Sequence, residues 1–183
     1  KAQALAGDSQ IQWTKAEVGP LPFEADSFDF VIMHTLLSHV PDLESCLRDT
    51  RRVLKSDGQL IIFDADYAST TFAYPDFEKM REIDLKLLSG LVTHLDVCRQ
   101  LPRLLKGSGF RLGSHRSYLL SEAGIGDYWM SSVRSFAKLI PALGILPEAE
   151  GQAWVEHMFK SQEDETFFAA GAYYTYFCRP DKD

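Results

Sequence analysis

The stretch LPFEADSFDFVIMHTLLSHVPDLESCLRDTRRVLKSDGQLIIFDADY, from Leu21 to Tyr67, decides the fold. It reads as a turn, a buried strand over Phe28–Met33, a loop with two histidines, an amphipathic helix and a second buried strand over Gln59–Phe63. A strand, a helix and a strand joined by short links form a βαβ unit, which predicts a parallel sheet covered by helices on both faces. Because ligands bind beyond the carboxyl ends of such strands, we expect functional residues near His34 and Asp64.

The composition is that of an ordinary globular domain. The chain has 183 residues, of which 45% are hydrophobic and 25% charged, with a formal net charge of −7. An acidic chain is a poor general binder of nucleic acid or of anionic membranes, because both require a basic face. Its cysteines, Cys46, Cys98 and Cys178, form no C-x-x-C pair, so neither a disulfide framework nor a zinc site is indicated. With no apolar run of membrane-spanning length and no signal peptide, we expect a cytoplasmic protein.

Further elements are predicted on both sides of the βαβ unit. Ile11, Trp13 and Ala16 indicate a short strand over about 10–16. Within the unit, Asp42 is the expected N-cap of the helix, and the turn Ser56-Asp57-Gly58 is expected to end it. Beyond Tyr67, apolar spacing predicts helices over about 76–91, 100–106, 125–143 and 148–160, and strands over about 110–119 and 167–178. Residues 1–183 are therefore treated as a single α/β domain.

Polar side chains gather at the predicted carboxyl ends of the strands: Glu17, His34, His39, Asp64, Asp66 and Tyr67. Carboxylates placed there can accept hydrogen bonds from the amine or hydroxyl groups of a nucleotide-like ligand. We expect only one of Asp64 and Asp66 to face the cleft, and we choose Asp66 because it lies nearer the mouth. A capped strand end is the alternative interpretation of Asp66.

Four motifs in this order resemble the class I, Rossmann-like, S-adenosylmethionine-dependent methyltransferases. They are LPF-x-x-x-SFDFV, the two histidines before VPD, RRVLKSDGQLIIFD, and the final FFAAGAYYTYFCRP. The similarity is to the small-molecule methyltransferases of the ubiquinone and menaquinone biosynthesis type. It implies a mostly parallel sheet with an antiparallel carboxyl-terminal strand, and S-adenosylmethionine as the cofactor.

The resemblance also implies roles for individual residues. Glu17 takes the place of the acidic residue that contacts the adenine amino group, and Val18 that of the backbone N–H that meets the ring. Residues 34–36 (His34, Thr35 and Leu36) occupy the position that contacts the methionine part of the cofactor. His39 matches a histidine near both the cofactor and the acceptor.

Two features of the family are absent from this sequence. They are the glycine-rich loop after the first strand and the acidic residue after the second strand, which hold the methionine and ribose ends of the cofactor. We therefore expect the chain to be the carboxyl-terminal part of a methyltransferase domain that lacks its first two strands. Finding Lys1 at the true amino terminus of the gene product by mass spectrometry would contradict this. Unpaired sheet edges are expected to favour a homodimer.

The sequence thus predicts, for the full-length form, methyl transfer to a small, fairly apolar acceptor. The alternatives are a non-catalytic binding or scaffolding module of the same fold and a nucleotide-dependent oxidoreductase. Ser121 to Thr166 separates two strands that usually form a hairpin, so residues 121–166 are interpreted as a helical elaboration that serves as a substrate lid.

The catalytic residues predicted from this interpretation are His39 and Asp66. A base or orienting role for His39 stands beside a purely structural hydrogen bond, since methyl transfer depends largely on alignment. His34 and His39 are five residues apart, and no carboxylate completes a ligand set with them. No metal site is therefore predicted.

Overall fold

The computed structural model describes residues 11–16 and 20–181. Within these residues the chain forms four strands: β1 (Phe28–His34), β2 (Leu54–Phe72), β3 (Phe110–Gly124) and β4 (Phe167–Pro180). The α-helices are α1 (Leu43–Val53), α2 (Phe77–Ser89), α3 (Val97–Gly107), α4 (Tyr128–Leu143) and α5 (Glu148–Glu163). A short 3-10 helix, Leu37–His39, lies between β1 and α1.

The strands form one sheet in the order β1-β2-β4-β3. β1 is parallel to β2, and β4 runs antiparallel to both β2 and β3. Three strands therefore share one direction and the last one is reversed, which confirms the predicted fold class. The predicted N-cap is also confirmed, because the Asp42 carboxylate accepts the Ser45 N–H at 2.9 Å.

Two apolar cores lie on opposite faces of the sheet. On one face, α1 and α3 cover Leu60 and Ile62 of β2, which are fully buried. On the other, α2, α4 and α5 surround Phe72 at the end of β2. Side chains of a strand alternate between the two faces of the sheet. Leu60 pairs with Cys178 of β4 and Phe72 pairs with Ala169, and these two β4 residues are an odd number of positions apart, so they lie on opposite faces. The lid interpretation therefore concerns helices that form part of a core.

The prediction that β1 is buried on both faces is wrong. Phe30 and Ile32 are 61% and 67% exposed, whereas Met33 on the opposite face is buried. α4 and α5 pack beside the far end of β2, so in the described part of the chain no helix covers the face of β1 that carries Phe30 and Ile32.

The helix of the βαβ unit ends earlier than predicted. α1 ends at Val53. Leu54 is the first residue of β2, because its backbone pairs with Phe28 of β1 while its side chain is fully buried. Phe30 pairs with Gln59, so residues 55–58 form a bulge within the strand. A Cβ added at Gly58 would lie 3.0 Å from the backbone oxygen of Asp29, so glycine permits this close approach.

The strand predicted over 10–16 is not formed by residues 11–16, which have no regular structure. Ile11 and Trp13 are 55% and 46% exposed. The reason is the lack of a pairing partner, since β1 pairs only with β2 among residues 11–16 and 20–181. Apolar side chains alone do not hold an extended segment that has no ladder of hydrogen bonds.

Candidate functional site

β1 ends beside Phe63 of the longer strand β2, and the end of β1 marks the predicted site edge. His34, the last residue of β1, pairs with Phe63 of β2. Its exposed imidazole stacks on the Phe63 ring, with 4.8 Å between ring centroids. The Thr35 N–H donates to the Phe63 carbonyl at 2.8 Å. His34 and Thr35 therefore lie at the carboxyl edge of the sheet.

A strained turn follows β1. Thr35 has a φ of +46°, a left-handed conformation that a β-branched residue rarely adopts and that costs about 1–3 kcal/mol. The Thr35 hydroxyl donates to the His34 carbonyl at 2.9 Å, which supports the turn locally. Leu36 comes next and is 39% exposed. Such strain is concentrated at ligand-binding and catalytic sites, which supports a functional interpretation of this turn.

Asp64 holds the loop that carries His39. Its buried carboxylate accepts the Ser38 N–H at 3.2 Å and the Ala65 N–H at 2.9 Å. From the other side, the Thr93 and His94 N–H groups both donate to the Ser38 carbonyl, at 2.9 and 3.0 Å. The His39 side chain itself is exposed. Asp64 therefore positions the loop that carries His39, a role that the sequence analysis did not predict because it chose Asp66 instead.

Asp66 forms an ion pair with Arg99 of α3. The Arg99 Nε lies 3.1 Å from both carboxylate oxygens of Asp66, and Nη2 lies 2.9 Å from Oδ2. Asp66 is only 4% exposed and Asp64 is fully buried. The expectation that only one of them faces inward is wrong, because residues two apart on a strand share a face. An acceptor-binding role for Asp66 stays a prediction.

A bulge follows Asp66 in β2. Asp66 pairs with Ala172 and Thr71 with Ala170, so residues 67–70 lie opposite Gly171 alone. The Ser69 hydroxyl donates to the Asp66 carbonyl at 2.7 Å and accepts the Ala172 N–H at 2.9 Å. Bulges are frequent beside active sites because they redirect side chains.

An aromatic cavity of about 260 Å³ lies between this bulge and α4. Tyr67, Tyr128, Trp129 and Tyr173 line it, together with aliphatic residues and the hydroxyls of Thr70 and Ser132. The hydroxyls of Tyr128 and Tyr173 are 2.8 Å apart. Burial raises the pKa of Tyr67 and, more strongly, that of Tyr173, so both phenols are neutral donors at pH 7.

The cavity is connected to the site edge by stacked rings. The Tyr173 ring lies 5.7 Å from that of Phe63, and Phe63 is stacked on His34. This aromatic row, His34–Phe63–Tyr173, crosses three strands on one face of the sheet. Across the Phe63 and Tyr173 rings, it links the turn predicted to contact the cofactor to a cavity whose aromatic and aliphatic lining is typical of a site for a small apolar molecule.

Asp84 of α2 is a second buried carboxyl near the bulge. It is 8% exposed, and burial raises its pKa to about 7, an effect that the Thr71 hydroxyl partly opposes. In the unfolded chain an ordinary aspartate pKa of 3.8 applies. The unfolded state therefore releases the Asp84 proton at lower pH than the folded state does, and stability falls as the pH rises between these two values.

We predict that Asp84→Asn removes this loss. The variant should unfold with nearly wild-type free energy at pH 4 and be more stable than wild type by about 4 kcal/mol at pH 8, since each pKa unit between the two states corresponds to about 1.4 kcal/mol. Urea unfolding of both proteins at several pH values measures the difference. A constant difference across this range would contradict the assignment to Asp84.

Two of the predicted site residues, Glu17 and Val18, lie outside the described residues. Among residues 11–16 and 20–181, no group of three or more histidine, cysteine, aspartate or glutamate side chains comes together in a way that could hold a metal ion. No helix in that part of the chain is long and apolar enough to cross a membrane.

Sequence comparison relates the chain to known methyltransferases. Residues 1–62 match the family model described as a methyltransferase domain. The chain is 29% identical over 160 residues to an uncharacterized 37.1 kDa protein in a transposon of Streptomyces fradiae. This match covers 86% of the present chain and 45% of the transposon protein. It is 33% identical over 95 residues to 2-phytyl-1,4-naphtoquinone methyltransferase of Trichormus variabilis, covering 52% and 38% respectively. The chain thus spans less than half the length of these relatives.

Structure comparison shows the fold. The crystal structure of a putative methyltransferase from Bacillus halodurans matches with a TM-score of 0.60 at 14% identity, over 98% of this chain and 75% of that one. The [4+2]-cyclase SpnF matches with a TM-score of 0.53 at 17% identity, over 100% and 61%. Together with the sequence matches, these confirm the resemblance to class I S-adenosylmethionine-dependent methyltransferases. The cyclase shows that the site, rather than the fold, decides the chemistry.

Proposed function

We propose that this chain, which has the fold of the class I S-adenosylmethionine-dependent methyltransferases and four sequence motifs that resemble theirs, takes part in methyl transfer to a small, fairly apolar acceptor. The activity belongs to the full-length gene product. The observation that carries the proposal is the aromatic row from His34 to Tyr173, which joins the turn after β1 to the aromatic cavity. The quinone methyltransferase among the relatives supports an acceptor with a ring.

The residues after β1 fit part of the cofactor. Thr35 fixes a sharp turn, Leu36 offers an exposed apolar surface, and the exposed His34 ring is stacked on the Phe63 ring. We propose that these residues line the methionine part, with Glu17 and Val18 at the adenine. When bound, S-adenosylmethionine supplies a methyl group on a positively charged sulfur, which makes that methyl susceptible to a nucleophile.

The chain's own residues would align and desolvate the acceptor. The tyrosines and Trp129 of the cavity exclude water and orient a ring, so that the nucleophilic atom meets the methyl in line. His39 is proposed to accept the acceptor's proton or to orient it from the loop fixed by Asp64. Asp66, through its ion pair with Arg99, holds the part of β2 from which the bulge and Tyr67 start.

The lid interpretation is proposed in a modified form. α4 contributes Trp129 both to the cavity and to the buried core, and α5 contributes Trp154, which is fully buried. α4, held in the core beside α5, therefore acts as a fixed wall of the cavity that selects the acceptor. We also propose a homodimer, because Phe30 and Ile32 are exposed on β1, which is an edge strand of the sheet. Analytical ultracentrifugation measures the oligomeric state.

Narrowing the cavity tests the proposed acceptor site. Ser132 lines the cavity from α4, so Ser132→Trp should fill much of it. In the full-length protein we predict that kcat/KM for an apolar ring-bearing acceptor falls by about tenfold or more, since a clash of a few methylenes costs about 1–3 kcal/mol. Methyl-labelled S-adenosylmethionine and scintillation counting of the product measure it.

Ser135→Ala is the matched control, because Ser135 lies one turn away on the same helix and its removal enlarges the cavity only slightly. It should leave kcat/KM within about twofold. Affinity for S-adenosylmethionine should be unchanged in both variants. A Ser132→Trp protein that keeps its full acceptor kcat/KM would show that the acceptor binds elsewhere.

A further inference from the structure

A second cavity, of about 330 Å³, lies between the β2 bulge and α2. Backbone and side chains of residues 67–71 form one wall, and Phe77, Asp84 and Leu88 are part of the other. This cavity shares Tyr67, Thr70 and Leu88 with the aromatic cavity, so the two cavities lie on either side of the same residues. Its volume is at the lower end of the range for small-molecule sites.

One oxygen of the buried carboxyl in this cavity, Asp84 Oδ1, is unsatisfied. Asp84 is 8% exposed, and its Oδ1 is buried without a hydrogen-bond partner among the described residues. The nearby Arg81 does not neutralise it: Arg81 is exposed with its guanidinium 5.9 Å from the Phe77 ring centroid, and within the described residues it forms no ion pair with Asp84. A buried oxygen left without a donor destabilises a fold, so its retention beside a cavity suggests a ligand that satisfies it.

We propose that this cavity binds a hydrogen-bond-donating group, a hydroxyl or an amine, carried by a small ring-bearing molecule, with Asp84 as its acceptor. The flanking Phe77 and Leu88 provide apolar contact for the ring, and the Asp84 oxygen takes the donor. The inference rests on the proposed function in one respect, namely that the molecule is the methyl acceptor. In that case the donor-bearing ring of the acceptor lies at Asp84, while the part of the acceptor that is methylated extends past Tyr67 into the aromatic cavity.

Three probes of one shape test the site directly. Toluene has no donor, p-cresol adds a hydroxyl and benzylamine carries an amine. Each is titrated into the 183-residue chain and followed by calorimetry and by amide NMR shifts. We expect p-cresol or benzylamine to bind about tenfold more tightly than toluene, because one donor meets an unsatisfied buried acceptor. The probe that gains identifies the donor as a hydroxyl or an amine.

The variants isolate the carboxyl. Asp84→Leu should abolish the preference over toluene without loss of folding, since it removes a buried carboxyl whose Oδ1 has no partner in the described part of the chain. Asp84→Asn keeps a carbonyl acceptor and should retain most of a preference for the hydroxyl. Glu82→Gln, an exposed position on the same helix, should behave as wild type.

Several results would overturn the proposal. These are equal affinity for all three probes, no saturable binding of any probe, a preference that survives in Asp84→Leu, and shifted amides that lie away from residues 67–71 and 84–88.

The probe titrations involve neither the cofactor nor methyl transfer. Binding at Asp84 can therefore be established even if the proposed methyl transfer is wrong. Absence of probe binding would in turn leave the proposed cofactor contacts of residues 34–36 unaffected.

Discussion

Replacement of Phe72 by alanine is expected to destabilise the chain by about 3–5 kcal/mol, the largest loss we predict for a single substitution. Phe72 is 3% exposed at the end of β2. Its ring centroid lies 5.6 Å from that of Trp154 and 5.9 Å from that of Trp129. The rings of Phe136 and Phe167 also contact it edge-on. Alanine would leave a cavity where α4, α5 and the sheet meet, and close packing prevents these elements from collapsing into it.

Phe168→Ala is the matched control for Phe72→Ala. Phe168 is the neighbour of Phe167 on β4 and is 41% exposed, so its removal should cost less than about 1 kcal/mol. Urea unfolding of the two variants gives the comparison. A similar small loss for both would mean that α4 and α5 are loosely attached, and the fixed-wall interpretation of the cavity would then be wrong.

Replacement of Arg99 by methionine is expected to destabilise the chain by about 2–4 kcal/mol at pH 7, because it leaves the Asp66 carboxylate buried without its partner. The Asp66 side chain is 5% exposed, whereas that of Arg99 is 57% exposed. Methionine preserves the apolar stem of arginine, so the effect reports the ion pair and not lost packing.

Two further proteins complete this test. Arg103→Met removes an exposed arginine from the same helix and should change stability by less than about 0.5 kcal/mol. The double variant Arg99→Met, Asp66→Asn should be more stable than Arg99→Met alone, because the uncompensated charge is gone. If Arg99→Met and Arg103→Met unfold alike, Asp66 does not depend on Arg99, and the predicted direct role of Asp66 at the acceptor gains support.

The sequence predicts much of the fold because the deciding signals are local. The N-cap at Asp42, the apolar stripe of α2 and the alternation of helices and strands can all be read from neighbouring residues. The shared face of Asp64 and Asp66 also follows from strand periodicity, although our sequence interpretation did not apply it. Burial of β1 was predicted from composition, but exposure depends on which helices reach that face.

The candidate site is harder to predict, because its parts are distant in sequence. Arg99 meets Asp66 from 33 residues away, and the hydroxyls of Tyr128 and Tyr173 meet across 45 residues. The bulge at residues 67–70 adds no turn signature of the glycine or proline type. Only the topology brings these groups together, whereas His34 and Thr35 follow a strong strand pattern and are found at once.

The central claim is that this chain forms part of an S-adenosylmethionine site. Calorimetry of the full-length gene product with S-adenosylmethionine and with its demethylated product, beside the 183-residue chain, tests it most directly. We predict saturable binding of both compounds at one site of the full-length protein, and weaker or no binding by the 183-residue chain. A full-length protein that binds neither compound would contradict the claim and favour a non-catalytic module or a different nucleotide-dependent enzyme of this fold.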